Sequence, residues 1–273
     1  MDVTQHALLA LIAVPFLGFL FALMSRENPR GGTHNALTVA AFAVLANIAL
    51  MWWIFTRFNT AKTGLQFVSR YNWIDIPNIE LAFGIDIFSL IIILAIHLML
   101  IICVPFVRNT PQPKVLGCMS LLLLSMFTGF LVSADIFSFY AFYTAMLIPL
   151  FLLIGSVGEI RKQSWMFRFF IYNFIGSIIL FLVVCALYHY QNDGRAVLLG
   201  KVASLRLPRP FEYWIWGGIF AALLFRIPIW PFHYWISSIT AAVQNPLVFL
   251  AVNLFPLTGV YGLVRFCPKT VPE

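Results

Sequence analysis

The sequence predicts an all-α integral membrane protein of about eight transmembrane helices. Three observations carry that expectation: 62% of the 273 residues are hydrophobic, only 10% are charged, and apolar runs of about 20 residues recur between short polar connections. Soluble domains carry about a quarter charged residues, and the mean hydropathy here is +0.93, so lipid is the solvent. In hydrocarbon every backbone N–H and C=O needs a partner within its own segment, which leaves helices or closed barrels. Barrel strands alternate apolar and polar over about ten residues, and these runs do not.

Taken in order, the first two helices are expected at about 5–24 and 35–57, separated by Ser25-Arg26-Glu27-Asn28-Pro29-Arg30-Gly31-Gly32. Met1 to His6 lack a basic n-region and no small-x-small site follows Met24, so the first helix reads as retained. From Asn59 to Gly84 the composition is mixed. Leu65-Gln66-Phe67-Val68 and Ile79-Glu80-Leu81-Ala82, on either side of Trp73 to Asn78, predict two short strands and a small hairpin on the membrane surface. The third helix is expected at about 86–107, stopped by Arg108 to Lys114 with Pro111 and Pro113; the fourth at 115–133; and the fifth at 136–156, after only Ala134-Asp135. A charged turn, Glu159-Ile160-Arg161-Lys162, precedes the sixth at 165–190, and a polar loop from Gln191 to Glu212 precedes the seventh at 213–236. The eighth is expected at 246–266. No polar stretch is long enough for a separate soluble domain, so residues 1–273 read as a single transmembrane domain.

The formal charge of +7 does not point to nucleic acid, because the Lys and Arg residues are scattered through connections and form no basic face. Cys103, Cys118, Cys185 and Cys267 have no C-x-x-C or Cys/His spacing, and three of them lie in apolar runs where a thiol acts as a small hydrophobe. No disulfide, zinc or iron–sulfur cluster is expected. No Gly-rich nucleotide loop follows a strand either, so this chain is expected to bind no cofactor and to carry no redox chemistry.

The seventh helix is the unusual one. Arg226-Ile227-Pro228-Ile229-Trp230-Pro231-Phe232-His233 places two prolines three apart inside an apolar run. Each removes an amide donor and clashes with the carbonyl four residues back. A proline-broken helix at membrane depth is tolerated where protein or an aqueous cavity satisfies the freed groups, so Arg226, Pro228, Pro231 and His233 are candidates for a polar pathway. A plain kink with a snorkelling cation is the competing reading. His97, midway along the third helix, could relay a proton near neutral pH or be a hydrogen-bonded packing histidine. Asp86 and Asp135 sit where helices begin, which favours capping roles. Tyr140 and Thr144 share a helix face at i and i+4.

Four ordered stretches, with an echo in the eighth helix, resemble the antiporter-like, M-type (chain 4) subunits of NADH:quinone oxidoreductase, respiratory complex I. Gly84-Ile85-Asp86-Ile87-Phe88-Ser89-Leu90 opens the third helix. Phe139-Tyr140-Ala141-Phe142 with Leu147-Ile148-Pro149-Leu150-Phe151-Leu152-Leu153-Ile154-Gly155 lies in the fifth, and Arg168-Phe169-Phe170-Ile171-Tyr172 with Gly176-Ser177 in the sixth. Pro228-Ile229-Trp230-Pro231-Phe232-His233-Tyr234-Trp235 is the most specific, and Gly259-Val260-Tyr261-Gly262-Leu263-Val264-Arg265 follows in the eighth. The resemblance implies the first half of a fourteen-helix fold built from two inverted halves, truncated and diverged, with the second half missing or supplied by a separate chain.

The resemblance also implies a proton half-channel that uses a glutamate on the fifth helix, a lysine on the seventh, and a lysine or histidine on the eighth. These positions align with Thr144, Arg226 and Leu257. Arginine stays protonated in proteins and is a poor proton carrier, so a degenerate or partial channel with a mainly structural role is expected, with Arg226 satisfied by Thr144, by carbonyls freed at Pro228 and Pro231, by water, or by a carboxylate from another chain. The implied partners are other membrane-arm subunits of complex I, with NADH, flavin, iron–sulfur clusters and quinone held by partner subunits, in a bacterial plasma membrane or mitochondrial inner membrane. The alternatives are a subunit of a related multi-subunit cation/proton antiporter or membrane hydrogenase, a stand-alone ion transporter, or a non-transporting assembly protein with the same packing.

Overall fold

A computed structural model describes residues 6–26, 35–62, 64–74, 79–107, 110, 112–157, 163–191, 198–199, 208–230, 232–241, 243 and 245–266. Helices α1 (Ala7–Met24), α2 (Asn35–Arg57), α3 (Ile87–Val107) and α4 (Pro113–Val132) are each long and apolar enough to span a bilayer. The next span, Ile136–Val157, is interrupted at Met146 and so comprises α5 (Ile136–Ala145) and α6 (Leu147–Val157). Pro149 explains the interruption, since it has no amide to return to the Ala145 carbonyl. Helix α7 (Gln163–Gln191) is continuous, and α10 (Pro246–Phe266) closes the described chain. Among the described residues seven spans therefore satisfy length and apolarity. The expected seventh helix, at 213–236, is instead two pieces, α8 (Arg209–Leu224) and α9 (Tyr234–Thr240), with non-helical backbone between them.

Helix α4 is the axis of the bundle. It packs against α1, α2, α3, α5 and α6, and most of its residues are buried, Gly117, Ser120, Ser125 and Gly129 among them. Small residues let backbones approach where lipid offers no hydrophobic drive for helix association. A side chain at Gly129 would occupy the space of the Phe142 ring, 2.4 Å from its nearest carbon. The outer faces are as apolar as the inner ones: Phe21, Phe42, Ile91 and Leu182 are all exposed, as expected when lipid replaces water around the molecule.

The surface hairpin pairs β1 (Gln66–Ile74) with β2 (Ile79–Ile85) antiparallel, Arg70 opposite Ala82 and Tyr71 opposite Leu81. The strands are longer than the sequence suggested. Register shifts occur near both ends, and Phe67 takes a left-handed φ of 54° within the first, which fits a bulge. The expected turn residues 75–78 lie outside the described residues. Strand β2 continues into the bundle: the Ala134 amide donates to the Ala82 carbonyl at 2.8 Å, and the Leu199 amide to the Ala134 carbonyl at 2.9 Å. The α4–α5 linker is thus sandwiched between the hairpin and the 198–199 segment.

Candidate functional site

Helix α8 ends because Pro228 cannot donate to the Leu224 carbonyl. The amides of Arg226 and Ile227 both turn back to the Leu223 carbonyl, and Ile229 closes a tight turn onto Ile227. The break lies at membrane depth. Arg226 and Ile227 abut Gly259 of α10, seven residues inside the helix end at Phe266, or about 10 Å at 1.5 Å per residue.

Arg226 is fully buried and, among the described residues, is the largest side chain to be so. Its guanidinium donates to the Tyr143 carbonyl on α5 and, at 3.2 Å, to the Thr258 hydroxyl on α10. The guanidinium carbon sits 3.4 Å from the centroid of the Tyr143 ring and 4.3 Å from that of Phe255. Among the described residues Arg226 makes no ion pair. A hydrogen bond to a charged group is worth roughly 1.5–3 kcal/mol and a desolvated cation–π contact about 2 kcal/mol. One of each already offsets the roughly 2.5–3.5 kcal/mol cost of placing a cation mid-membrane, so no carboxylate is required. The Tyr143 ring is itself anchored, its hydroxyl donating to the Ala222 carbonyl at 2.8 Å. The Arg226 Nε proton has no acceptor among the described residues.

The acceptors differ from those expected. Thr144 is not the partner of Arg226, and its buried hydroxyl has no hydrogen-bond partner among the described residues. The reason is angular: consecutive helical residues point about 100° apart, so the guanidinium that lies on the Tyr143 ring meets that residue's carbonyl and not the next side chain. Pro228 is exposed, and Pro231 lies outside the described residues. His233 is exposed at the N-cap of α9 and makes no capping bond; it does not join Arg226. Leu257 is half-buried on α10.

His97 belongs to a different cluster. Fully buried on α3, it meets the Ile93 carbonyl through Nδ1 at 2.7 Å and Asn47 Nδ2 through Nε2 at 2.8 Å. A carbonyl only accepts, so Nδ1 carries the proton and Nε2 accepts from Asn47. The same amide donates to the Leu11 carbonyl at 3.1 Å, tying α1, α2 and α3 together. Between α3 and α10 lies a small cavity of about 30 Å³ lined by Ile96, Leu100, Phe127 and Leu254, with Ser120 as its polar member; its apolar lining is of the kind that stays dry.

A second polar network was not visible in the sequence. Arg265 of α10 bonds Asp86 at 2.6 Å, Asp86 accepts from the Ser89 hydroxyl and amide, and Ser89 meets the Tyr261 hydroxyl at 2.8 Å. Tyr261 donates on to the Leu131 carbonyl of α4 at 2.8 Å. The signal that could have found it is the i, i+4 pair Tyr261 and Arg265, which share one face of α10. Asp135 is built alike, accepting from Ser138 at the start of α5 and, at 2.8 Å, from the Ala82 amide of β2.

Both carboxylates lie outside the spans. Burial pushes the Asp86 carboxyl up, but the Ser89 hydroxyl, the Arg265 charge and the Ser89 amide outweigh it, leaving its pKa below the ordinary 3.8. A depressed folded-state pKa gives a contribution that is complete above the unfolded value and lost as pH falls through the folded one. Solubilised protein is therefore expected to lose stability below about pH 4, and Asp86→Asn to flatten that acid limb. A thermal-unfolding series from about pH 6 to about pH 3 checks it, and an identical limb in the variant would remove Asp86 from the network. Asp135 has the opposite sign: burial raises its pKa above 3.8, so its contribution falls as pH rises through the raised value.

Among the described residues no group of three or more His, Cys, Asp or Glu is placed to hold a metal ion. Residues 133–271 match the family described as NADH:quinone oxidoreductase/Mrp antiporter, transmembrane. The chain is 27% identical over 274 residues to NADH-quinone oxidoreductase subunit M of Rickettsia conorii, a match covering 96% of this chain and 55% of that protein. Its fold is similar to a chain of respiratory complex I from Thermus thermophilus, with a TM-score of 0.81 and 19% identity over 99% of this chain and 54% of that one. It is also similar to a chain of the Mrp complex of Dietzia sp. DQ12-45-1b, with a TM-score of 0.75 and 15% identity over 98% and 28%. The chain spans about half the length of the curated relatives it matches. A membrane bundle broken at Pro228, with these relatives, places it: the chain belongs to the NADH:quinone oxidoreductase/Mrp antiporter transmembrane family.

Proposed function

We propose that the chain is a membrane-arm subunit of a proton-translocating NADH:quinone oxidoreductase in which this half-channel serves as scaffold, proton passage being blocked at Arg226. The observation that carries the reading is the setting of that residue: a permanently charged side chain wedged between the Tyr143 and Phe255 rings, with no ion pair among the described residues. A relay needs a group that loads and releases a proton, which lysine does by shifting its pKa and arginine does not. NADH, flavin, iron–sulfur clusters and quinone belong to partner subunits in this reading, and the membrane is a bacterial plasma membrane or the mitochondrial inner membrane.

The test is proton translocation per NADH oxidised in membrane vesicles. Arg226→Lys alone is expected to leave the ratio unchanged, because among the described residues no carboxylate stands against residue 226 to complete a titratable couple. Removal of the chain that lowers the ratio while NADH oxidation continues would sink the scaffold reading. The likeness to the Mrp complex favours a second reading, a subunit of a multi-subunit cation/proton antiporter. Purification in mild detergent separates the two, since only the first co-migrates with NADH-oxidising activity, and a monomer supporting ion flux in liposomes would indicate a stand-alone transporter.

A further inference from the structure

The end of the bundle where α2 stops carries an open pocket of about 460 Å³, which shares no residue with the Arg226 or His97 clusters. It is lined by Arg57 at the end of α2, by Asn59 and Lys62 in the turn that follows, and by Leu65, Phe67 and Val68 where β1 begins. Its size falls within the roughly 300–1,000 Å³ of small-molecule sites.

The pocket lies at headgroup level. Trp52 and Phe55, both exposed, stack 5.8 Å apart in the last turns of α2, as aromatic residues do at a membrane–water interface. The hairpin also reaches the start of α1, where His6 Nδ1 meets the Tyr71 hydroxyl at 2.8 Å. Within the pocket the walls are held by their own bonds. The Gln66 side chain accepts from the Asn59 amide at 3.0 Å and donates to the Asn59 carbonyl at 2.6 Å, which ties the turn to the strand. Phe67 holds its left-handed φ of 54° at the register shift between Gln66 and Ser69. For a bulky residue that conformation is strained, and such strain gathers at ligand clamps.

The charges are of one sign. Arg57 and Lys62 are the charged residues of the lining, and among the described residues neither makes an ion pair. The Arg57 guanidinium lies over the Trp53 ring, 4.3 Å from its centroid, a stacking that orders the group and leaves its N–H edge free for a planar anion or a phosphate. Opposite these cations the lips are apolar and exposed, Leu65 and Val68 among them. A free anion gains nothing from that surface, whereas the glycerol and first methylenes of a lipid do.

We propose that this pocket is a binding site for the phosphodiester headgroup of an anionic phospholipid, with Arg57 and Lys62 holding the phosphate and Leu65 and Val68 covering the glycerol end. Native mass spectrometry of the full chain, in the assembly with which it purifies from mild detergent, tests this with dimyristoyl phosphatidylglycerol, dimyristoyl phosphatidylcholine and inorganic phosphate as probes. Wild type is expected to retain phosphatidylglycerol in preference to phosphatidylcholine. Arg57→Gln with Lys62→Gln is expected to weaken that binding about 30-fold, each basic side chain at a lipid surface being worth about fivefold. Val68→Asp, which sets an anion in the same pocket, is expected to abolish it. Arg70→Gln removes an exposed cation of β1 outside the lining and is expected to change it less than about twofold. Equal binding by wild type and the double variant, or an equal loss in Arg70→Gln, would overturn the site. Phosphatidylcholine held as tightly as phosphatidylglycerol would overturn its selectivity for an anion. Displacement of the lipid by equimolar inorganic phosphate would make the pocket a free-phosphate site and overturn the lipid as its occupant.

Discussion

Replacing Arg226 with alanine is expected to lower the unfolding free energy of the solubilised protein by about 3–5 kcal/mol, the range for truncating a large buried side chain. The loss has two sources. The rings of Tyr143 and Phe255 would face a void where the guanidinium now lies 3.4 Å and 4.3 Å from their centroids, and the Tyr143 carbonyl would lose its donor in a setting without water. Arg226→Met separates the two. It refills much of the volume without a charge, and exchanging a buried charge for a well-packed hydrophobe is often neutral or stabilising, so its loss is expected to be well below that of alanine. Denaturant or thermal unfolding in bicelles gives both numbers. A change below about 0.5 kcal/mol for alanine, typical of a surface site, would mean that the guanidinium is not buried and that the break is not its pocket.

Gly259→Leu should be nearly as damaging for the opposite reason. A Cβ at Gly259 would lie 2.7 Å from Ile227 Cγ1, 3.0 Å from the Leu223 carbonyl oxygen and 3.1 Å from Arg226 Cβ. Two of these are a backbone atom and the root of the arginine, so they cannot swing aside. Overpacking a tight site costs about 1–3 kcal/mol and sometimes more, and here the strain falls on the turn that aims Arg226 at Tyr143. Gly217→Leu is the internal control: a Cβ there meets nothing within 4 Å, and the change is expected to be near neutral. Similar losses for the two variants would show that α10 does not set the position of the break.

These two sites divide what could be read early from what could not. The break followed from Pro228, because the loss of an amide donor is a property of one residue and its position four after Leu224. Which groups Arg226 would meet did not follow. Tyr143 is one residue from the expected Thr144, and that difference is a matter of 100° about the α5 axis. Asp86 and Asp135 do cap helices through Ser89 and Ser138, a contact within three residues. Their long-range partners, Arg265 at a separation of 179 residues and the Ala82 amide, gave no local sign. Asn47, one polar residue in an apolar run, joins α1, α2 and α3 through Leu11 and His97, a role with no local sign in the sequence.

By itself, then, the sequence determined the solvent, the all-α class, the proline break and the family, because run length, charge content and motif order are properties of the chain read along its length. Only the tertiary structure decided that Arg226 rests on the Tyr143 carbonyl and the Thr258 hydroxyl, that His97 stands in a separate cluster, and that Asp86 is clamped by Arg265. The physical reason is rotational phase. A helix in lipid is apolar all round, so its outer face and its packed face look alike in sequence, and the angle at which each helix turns towards its neighbours is set by packing around α4.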